Sequence, residues 1–253
     1  MIKVVLIGSG NVAQHLIKAF AKRATIDVIQ VFSRQKEAVT HLLDSNNITN
    51  DLNDLAEADL YIIAVSDDAI ATVSSQLPFE NRLVVHTSGS VSLDALDKKN
   101  RKGSFYPLQT FSKKAEVDFS QIPIFLESEN DSDFELLEKV AQSISNKIYK
   151  INSEQRKALH VSAVFVNNFV NHLYQIGNEI CIENKVPFEV LKPLILETAN
   201  KVMTLSPKEA QTGPAIRDDK QTIASHLDFL LDENQKNIYK TLTQSIQNNG
   251  KKL

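Results

Sequence analysis

Short apolar runs alternate with helix-like segments over the first 151 residues. The run at 60–65 is almost unbroken in apolar character, which is typical of a parallel strand covered on both faces. Alternating strands and helices predict an α/β domain with a parallel sheet. Helices are predicted after residue 10, at 69–77 and at 134–144. The predicted strands lie at 3–7, 26–32, near 48, 60–65, 82–86, 104–106, 123–126 and 147–151.

From residue 152 the strand pattern stops and helical periodicity takes over. Asn152 with Gln155 three residues later is typical of a capping box, and the helix it begins is predicted to reach about residue 184. Pro193 is expected to kink or split the next helix. Further helices are predicted at 218–231 and 235–247. We therefore predict an α/β domain at 1–151 and an all-α domain at 152–253.

Composition narrows the possible classes of protein. The 253 residues are 42% hydrophobic, which is enough for a substantial core, and the net charge of −3 argues against general affinity for nucleic acid. Cys181 is the single cysteine, so an intrachain disulfide and a cysteine-rich metal site are excluded. No apolar run reaches the length of about 18 residues that a membrane helix needs. We expect a soluble, cytoplasmic protein with a small-molecule substrate and no nucleic-acid, membrane or metal partner.

The strongest chemical signal is Gly-Ser-Gly-Asn-Val-Ala at the end of the first predicted strand. Gly8 can make the sharp turn, Gly10 lets the backbone approach a pyrophosphate, and Ala13 is small enough for the helix to pack on the strand. Amides at the helix N-terminus then face the anion. The residues predicted to bind the pyrophosphate are Gly8, Ser9, Gly10, Asn11, Val12 and Ala13.

The end of the second strand bears on cofactor choice. An acidic residue at this point accepts hydrogen bonds from the ribose of NAD, but here the strand ends in Ser33 and Arg34. A hydroxyl and a guanidinium suit a 2′-phosphate, which favours NADP. Alternatively, Arg34 is a solvated residue at a helix start.

Other polar residues follow later strands of the predicted sheet. Ligands collect at the carboxyl ends of strands in such sheets. We therefore expect this edge to lie beside the cofactor's ribose and nicotinamide. The residues predicted there are Val65, Ser66, His86, Thr87 and Ser88.

The helical half supplies the candidate catalytic residues. His160 falls on a polar stripe of the long predicted helix, near the domain junction, where an imidazole could donate a proton to a carbonyl or imine. Asn168 lies further round the same helix and could orient the substrate. Arg217 follows a Gly-Pro turn and could anchor an anionic group. The alternatives are an ordinary helix or subunit interface for the asparagines and an exposed cap residue for Arg217.

These motifs together resemble a family of two-domain, Rossmann-like oxidoreductases with a C-terminal domain of unknown function. That family is similar to deazaflavin-dependent NADP reductases and, more distantly, to pyrroline-5-carboxylate reductases and β-hydroxyacid dehydrogenases. The resemblance covers nearly the whole chain. The segments that carry it are 8–13, 64–70, 86–89, 106–111, 160–169 and 212–214, with Arg217 and Asp219.

With the glycine motif, residues 1–151 are predicted to be an NAD(P)-binding Rossmann domain. The resemblance implies that residues 152–253 are a helical domain for substrate binding and dimerisation, like the C-terminal domain of 6-phosphogluconate dehydrogenase. It also implies a homodimer with the active cleft between domains. Tyr106 stands where histidine is expected, and Asp218 where glycine is usual. The catalytic lysine of β-hydroxyacid dehydrogenases has no clear counterpart. The sequence thus predicts an NADP-dependent oxidoreductase that transfers hydride to or from a small carbonyl or imine substrate. The alternatives are a non-catalytic NADP-binding sensor or interaction protein and a purely structural helical dimer with an empty nucleotide cleft.

Overall fold

A computed structural model describes residues 1–112 and 116–250. The chain divides into two compact units, Met1–Val164 and Phe165–Leu253. The predicted domain boundary at residue 151 stays a prediction. Across the part of the chain that the structure describes, no helix is both long and apolar enough to cross a membrane.

The first unit contains an eight-stranded sheet with the strand order β3-β2-β1-β4-β5-β6-β7-β8. Its strands are β1 Ile2–Ile7, β2 Ile26–Phe32, β3 Ile48–Thr49, β4 Leu60–Ile63, β5 Leu83–His86, β6 Arg101–Pro107, β7 Ile124–Ser128 and β8 Ile148–Lys150. The chain runs outward from β1 to β3 and then returns to add β4 on the other side of β1. The two halves therefore part between the carboxyl ends of β1 and β4, where ligands bind in such sheets.

One strand pair departs from the predicted parallel sheet. β6 and β7 are antiparallel, with Gly103 opposite Ser128 and Pro107 opposite Ile124. A parallel pair needs a crossover connection, usually a helix. Residues 108–112 and 116–123 between these strands contain no α-helix, only a 3₁₀ turn at Phe119–Gln121. The other paired strands are parallel, so the predicted α/β class is confirmed.

The sheet has an apolar core on each face. Alternation along β1 points Val4 and Leu6 to one face, where α1 (Asn11–Ala21) and α3 (Asp131–Gln142) cover them. Val5 and Ile7 point to the other face, toward α2 (Ile70–Ser75). Burial on both faces explains why these strands are nearly continuous runs of apolar residues.

The chain is helical from Ser153 onward. Asn152 and Gln155 form the predicted capping box at the start of α4 (Ser153–Ala163). The predicted long helix continues through a wider π-helical segment, Val164–Phe169, into α5 (Val170–Glu183). Pro193 lies in the first turn of α6 (Lys192–Thr204), so it begins a helix and splits the predicted one. The α-helices that follow are α7 Pro207–Ala210, α8 Lys220–Phe229 and α9 Glu233–Gly250.

Candidate functional site

The glycine turn after β1 opens the N-terminus of α1 to a cavity. Gly8 has a φ of +129°, and a Cβ there would lie 2.2 Å from the carbonyl oxygen of Ala64, so only glycine fits. Gly10 caps α1 without a side-chain hydrogen bond, and a Cβ added to Gly10 would meet no atom within 4 Å. The first-turn amides of α1 therefore face space that an anionic group can occupy.

This cavity has a volume of about 1100 Å³ and lies at the carboxyl ends of β1, β2, β4 and β5. Much of it is lined by small side chains and glycines, with a more apolar wall formed by Leu52, Val73 and neighbouring residues. Of the residues predicted to bind the cofactor, it brings together Gly8, Ser9, Gly10, Asn11, Val12, Ser33, Arg34, Val65, Ser66 and Thr87. Ala13, His86 and Ser88 are buried and do not line it.

The two residues after β2 contribute differently to this wall. The Ser33 side chain is buried, and its hydroxyl donates to the Gln35 carbonyl oxygen at 2.7 Å. Arg34 is exposed, and among the described residues it is the one charged side chain that lines the cavity. A single cation beside a helix N-terminus makes this cavity suited to an anionic ligand. The Arg34 guanidinium is better placed than the Ser33 hydroxyl to bind a phosphate, because the hydroxyl proton already donates to the Gln35 carbonyl oxygen.

The Asn11 side chain makes a contact that the glycine motif does not predict. Its side-chain amide donates to the Phe111 carbonyl oxygen at 2.8 Å. The neighbouring His15 contacts the same loop through Nε2, 2.9 Å from the Ser112 carbonyl oxygen. The segment after β6 is thus tied directly to the beginning of α1.

A second polar cluster lies where α4 packs against the sheet in the first unit. The Tyr106 hydroxyl is 3.1 Å from Nδ1 of His160. A Cβ on Gly89 would lie 2.6 Å from His160 Nδ1 and 2.8 Å from Tyr106 Cζ, so the loop after β5 covers this hydrogen bond closely. Tyr106 is buried and His160 is half-buried. Burial raises the pKa of Tyr106, so the phenol keeps its proton at neutral pH.

A layer of polar and charged groups, most of them buried, crosses the neighbouring strands. His86, Ser104 and Glu127 are successive neighbours across β5, β6 and β7. Arg156, one turn before His160 on α4, makes an ion pair with Glu127 and donates to the Val91 carbonyl oxygen at 2.5 Å. Its side chain is 1% exposed. This arrangement fastens the start of α4 to both β7 and the segment after β5.

His86 is neutral in this layer. Its Nδ1 accepts a hydrogen bond from the Ser88 amide at 3.2 Å, so Nε2 carries the proton. Burial, with a smaller effect from the Arg156 charge, lowers the pKa of His86 to about 3. His86 therefore serves as a buried hydrogen-bonding group at neutral pH, and its predicted contact with the cofactor stays a prediction.

The other two predicted catalytic residues lie in the second unit. Asn168 is in the π-helical segment and Arg217 precedes α8, and both are exposed. Their roles stay predictions. Glu127 and Arg156 were not among the residues predicted from the sequence. Two signals were available: a charged residue within a short apolar strand, and an arginine four positions before His160 on the same helical face.

Comparison with known proteins agrees with this geometry. Residues 3–89 match the family model described as NADP oxidoreductase, coenzyme F420-dependent. Residues 122–246 match a domain of unknown function, DUF2520. The chain is 41% identical to a proposed NADP oxidoreductase from Bacteroides fragilis, over 98% of each chain, with a TM-score of 0.88 between the structures. Comparison with curated proteins finds no match.

More distant structures share the fold alone. A semialdehyde dehydrogenase NAD-binding protein from Cupriavidus necator, solved with calcium and NAD, is 17% identical, with a TM-score of 0.63 and coverage of 98% of this chain and 99% of that one. A pyrroline carboxylate reductase from Plasmodium falciparum, solved with NADP, is 14% identical, with a TM-score of 0.58 and coverage of 99% and 97%.

The fold, the glycine turn and the family match together place the chain in a Rossmann-type, NAD(P)-binding oxidoreductase family. More narrowly, the chain belongs to the NADP oxidoreductase-like family that joins a domain of the F420-dependent type to a DUF2520 domain. The predicted resemblance is thereby confirmed.

Proposed function

We propose that the protein is an NADP-dependent oxidoreductase that transfers a hydride between NADP(H) and a small carbonyl or imine substrate. The observation that carries this proposal is the cavity at the glycine turn. It offers unobstructed space at Gly10, the N-terminus of α1 and the cation of Arg34. NADP supplies an anion for each positive feature: a pyrophosphate for the helix and a 2′-phosphate for the guanidinium.

NADP is favoured over NAD by the residues at the end of β2. Within the part of the chain that the structure describes, the cavity lining includes no aspartate or glutamate that could accept hydrogen bonds from a free ribose. An arginine can bind a phosphate through two hydrogen bonds at once. When bound, NADPH would supply the hydride, and the protein would supply binding, orientation and a proton.

His160 is the residue proposed to supply that proton. It is half-buried at the carboxyl edge of the sheet, and its contacts with Tyr106 and Gly89 hold the ring. The other histidine at this edge, His86, is fully buried and does not line the cavity, so it is poorly placed to reach a substrate. Asn168 and Arg217 are proposed to orient the substrate.

Calorimetric titration of the purified protein with NADPH and with NADH tests this proposal. We expect NADPH to bind much more tightly than NADH. Arg34→Ala removes a charged hydrogen-bond donor worth about 1.5–3 kcal/mol, so its dissociation constant for NADPH should rise roughly 10- to 100-fold. The NADH constant of that variant should change little, because NADH has no 2′-phosphate.

Lys36→Ala is the matched control for Arg34→Ala. It removes the same charge two residues away, from an exposed side chain that does not line the cavity. We expect its affinity for NADPH to stay close to that of the wild type. Failure of the wild type to bind either nucleotide would refute the oxidoreductase proposal. Tight binding of NADPH without its oxidation across a panel of aldehydes, ketones and cyclic imines would instead favour a non-catalytic NADP sensor.

A further inference from the structure

The hydroxyl of Tyr106 and the imidazole of His160 form an isolated pair at the edge of the sheet. Among the described residues, the Tyr106 hydroxyl makes one hydrogen bond, the 3.1 Å contact with His160 Nδ1. Nε2 of His160 has no hydrogen-bond partner among the same residues and is not one of the buried polar atoms. The two nitrogens of this ring therefore have different surroundings.

The direction of the hydrogen bond follows from the burial of Tyr106. If Nδ1–H donated to the phenol oxygen, the Tyr106 O–H would have no acceptor within the described residues, although its side chain is buried. Leaving a buried donor without an acceptor is unfavourable. If the phenol donates to Nδ1 instead, its proton is satisfied, and the imidazole proton lies on the accessible Nε2.

Gly89 strengthens the distinction between the two nitrogens. Its close approach to Nδ1 and Cγ of His160 covers that edge of the ring. Arg156 holds the same turn of α4 through its bonds to Glu127 and Val91. The ring is therefore packed on its Nδ1 side and accessible at Nε2.

We propose that Tyr106 is a positioning residue for His160. Its O–H donates to Nδ1 and keeps the neutral imidazole in the tautomer that carries a proton on Nε2. The Nε2–H group is then the hydrogen-bond donor that His160 presents to the carbonyl oxygen or imine nitrogen of a substrate, as a neutral imidazole does in other enzymes. The role of His160 toward a substrate rests on the proposed function, whereas the tautomer of His160 is a property of the protein alone.

Nitrogen-15 NMR of the histidine side chains tests the inference without a substrate. Spectra are recorded at about pH 8, above the ordinary histidine pKa of about 6.5, and His160 is assigned by its absence from His160→Gln. Long-range couplings from the ring protons show which nitrogen carries hydrogen. His86 provides a reference in the same spectrum, because its Nδ1 accepts from a backbone amide and its proton must lie on Nε2.

In the wild type, we expect His160 to show the Nε2–H pattern with the Nε2–H tautomer favoured about 10-fold or more, the ratio that corresponds to about 1.4 kcal/mol. Tyr106→Phe keeps the ring but removes the donor, so the His160 signals should move toward the average of the two tautomers. Tyr149→Phe is the matched control, because Tyr149 is 49% exposed and its hydroxyl has no partner among the described residues. It should leave the His160 signals unchanged.

Two results would overturn the inference: an Nδ1–H pattern for His160 in the wild type, or a His160 pattern that Tyr106→Phe does not alter. The wild-type spectrum decides the first point even if the variant folds poorly. Titration of the same samples with NADPH examines the proposed function separately. If the wild type does not bind NADPH, the proposed function is refuted and the tautomer result still stands. Failure of the proposed function and failure of the tautomer inference are therefore distinguishable.

Discussion

The buried ion pair between Arg156 and Glu127 is predicted to make a large contribution to stability. Arg156 is 1% exposed and the Glu127 side chain 16% exposed. Glu127 also accepts hydrogen bonds from the Ser153 amide at 2.8 Å and its hydroxyl at 2.9 Å. Removing one member of a buried pair leaves an uncompensated charge and costs about 3–5 kcal/mol. Native proteins have only about 5–15 kcal/mol of stability in total.

Glu127→Gln is the perturbation that tests this prediction, because it removes the charge and keeps the shape. Urea unfolding, followed by far-ultraviolet circular dichroism, should show a midpoint lower by about 1–2 M, from slopes of about 2–3 kcal/mol/M. Glu57→Gln is the matched control. It breaks the ion pair with Arg82. The side chains of Arg82 and Glu57 are 42% and 76% exposed, and exposed pairs contribute under about 1 kcal/mol.

A double variant separates the ion pair from the effects of each side chain. Arg156→Met removes the charge that Glu127→Gln leaves unpaired, so the double variant should be less destabilised than the sum of the two single variants. Equal losses of stability in Glu127→Gln and Glu57→Gln would refute the reasoning, since burial would then not strengthen the interaction.

Three further predictions concern other groups at the sheet edge. The unfolding free energy of the wild type should rise between pH 3 and about 6.5 by roughly 4 kcal/mol more than that of His86→Asn, because the unfolded chain binds a proton that the buried imidazole does not. Parallel urea-derived stability curves for the two proteins would contradict this. Gly10→Ala should keep the wild-type melting temperature but bind NADPH at least about 10-fold more weakly by calorimetry, because its Cβ enters the proposed pyrophosphate space. Unchanged NADPH affinity in Gly10→Ala would contradict the proposed cofactor site. Gly8→Ala should instead lose about 1–3 kcal/mol or more of stability, since φ at Gly8 is positive and the Ala64 carbonyl group blocks the Cβ.

Much of the nucleotide-binding region could be predicted from local sequence because its signals are local. The glycine turn depends on the backbone freedom of Gly8 and the missing side chain of Gly10. The capping box at Asn152 involves residues three positions apart. Ten of the predicted cofactor residues line one cavity because consecutive parallel strands end at the same edge of the sheet. Their binding role remains a prediction, as does the homodimer.

Long-range relationships could not be predicted in the same way. Nothing near β7 in the sequence indicates that it pairs antiparallel with β6, because pairing direction depends on the path of the connection. Tyr106 looked like a departure from the expected histidine. Its hydrogen bond to His160 joins residues 54 positions apart, which no periodic pattern encodes.

The sequence by itself determined the α/β class, the strand–turn–helix at the beginning of the chain and the chemical character of the residues after β2. Each follows from the conformational limits or the alternation of neighbouring residues. The tertiary structure alone decided that Arg156 would neutralise Glu127, that Gly89 would cover Nδ1 of His160, and that Tyr106 would reach it. These contacts form only when α4 packs on the sheet, because packing brings distant parts of the chain into contact and burial makes each unpaired polar group costly.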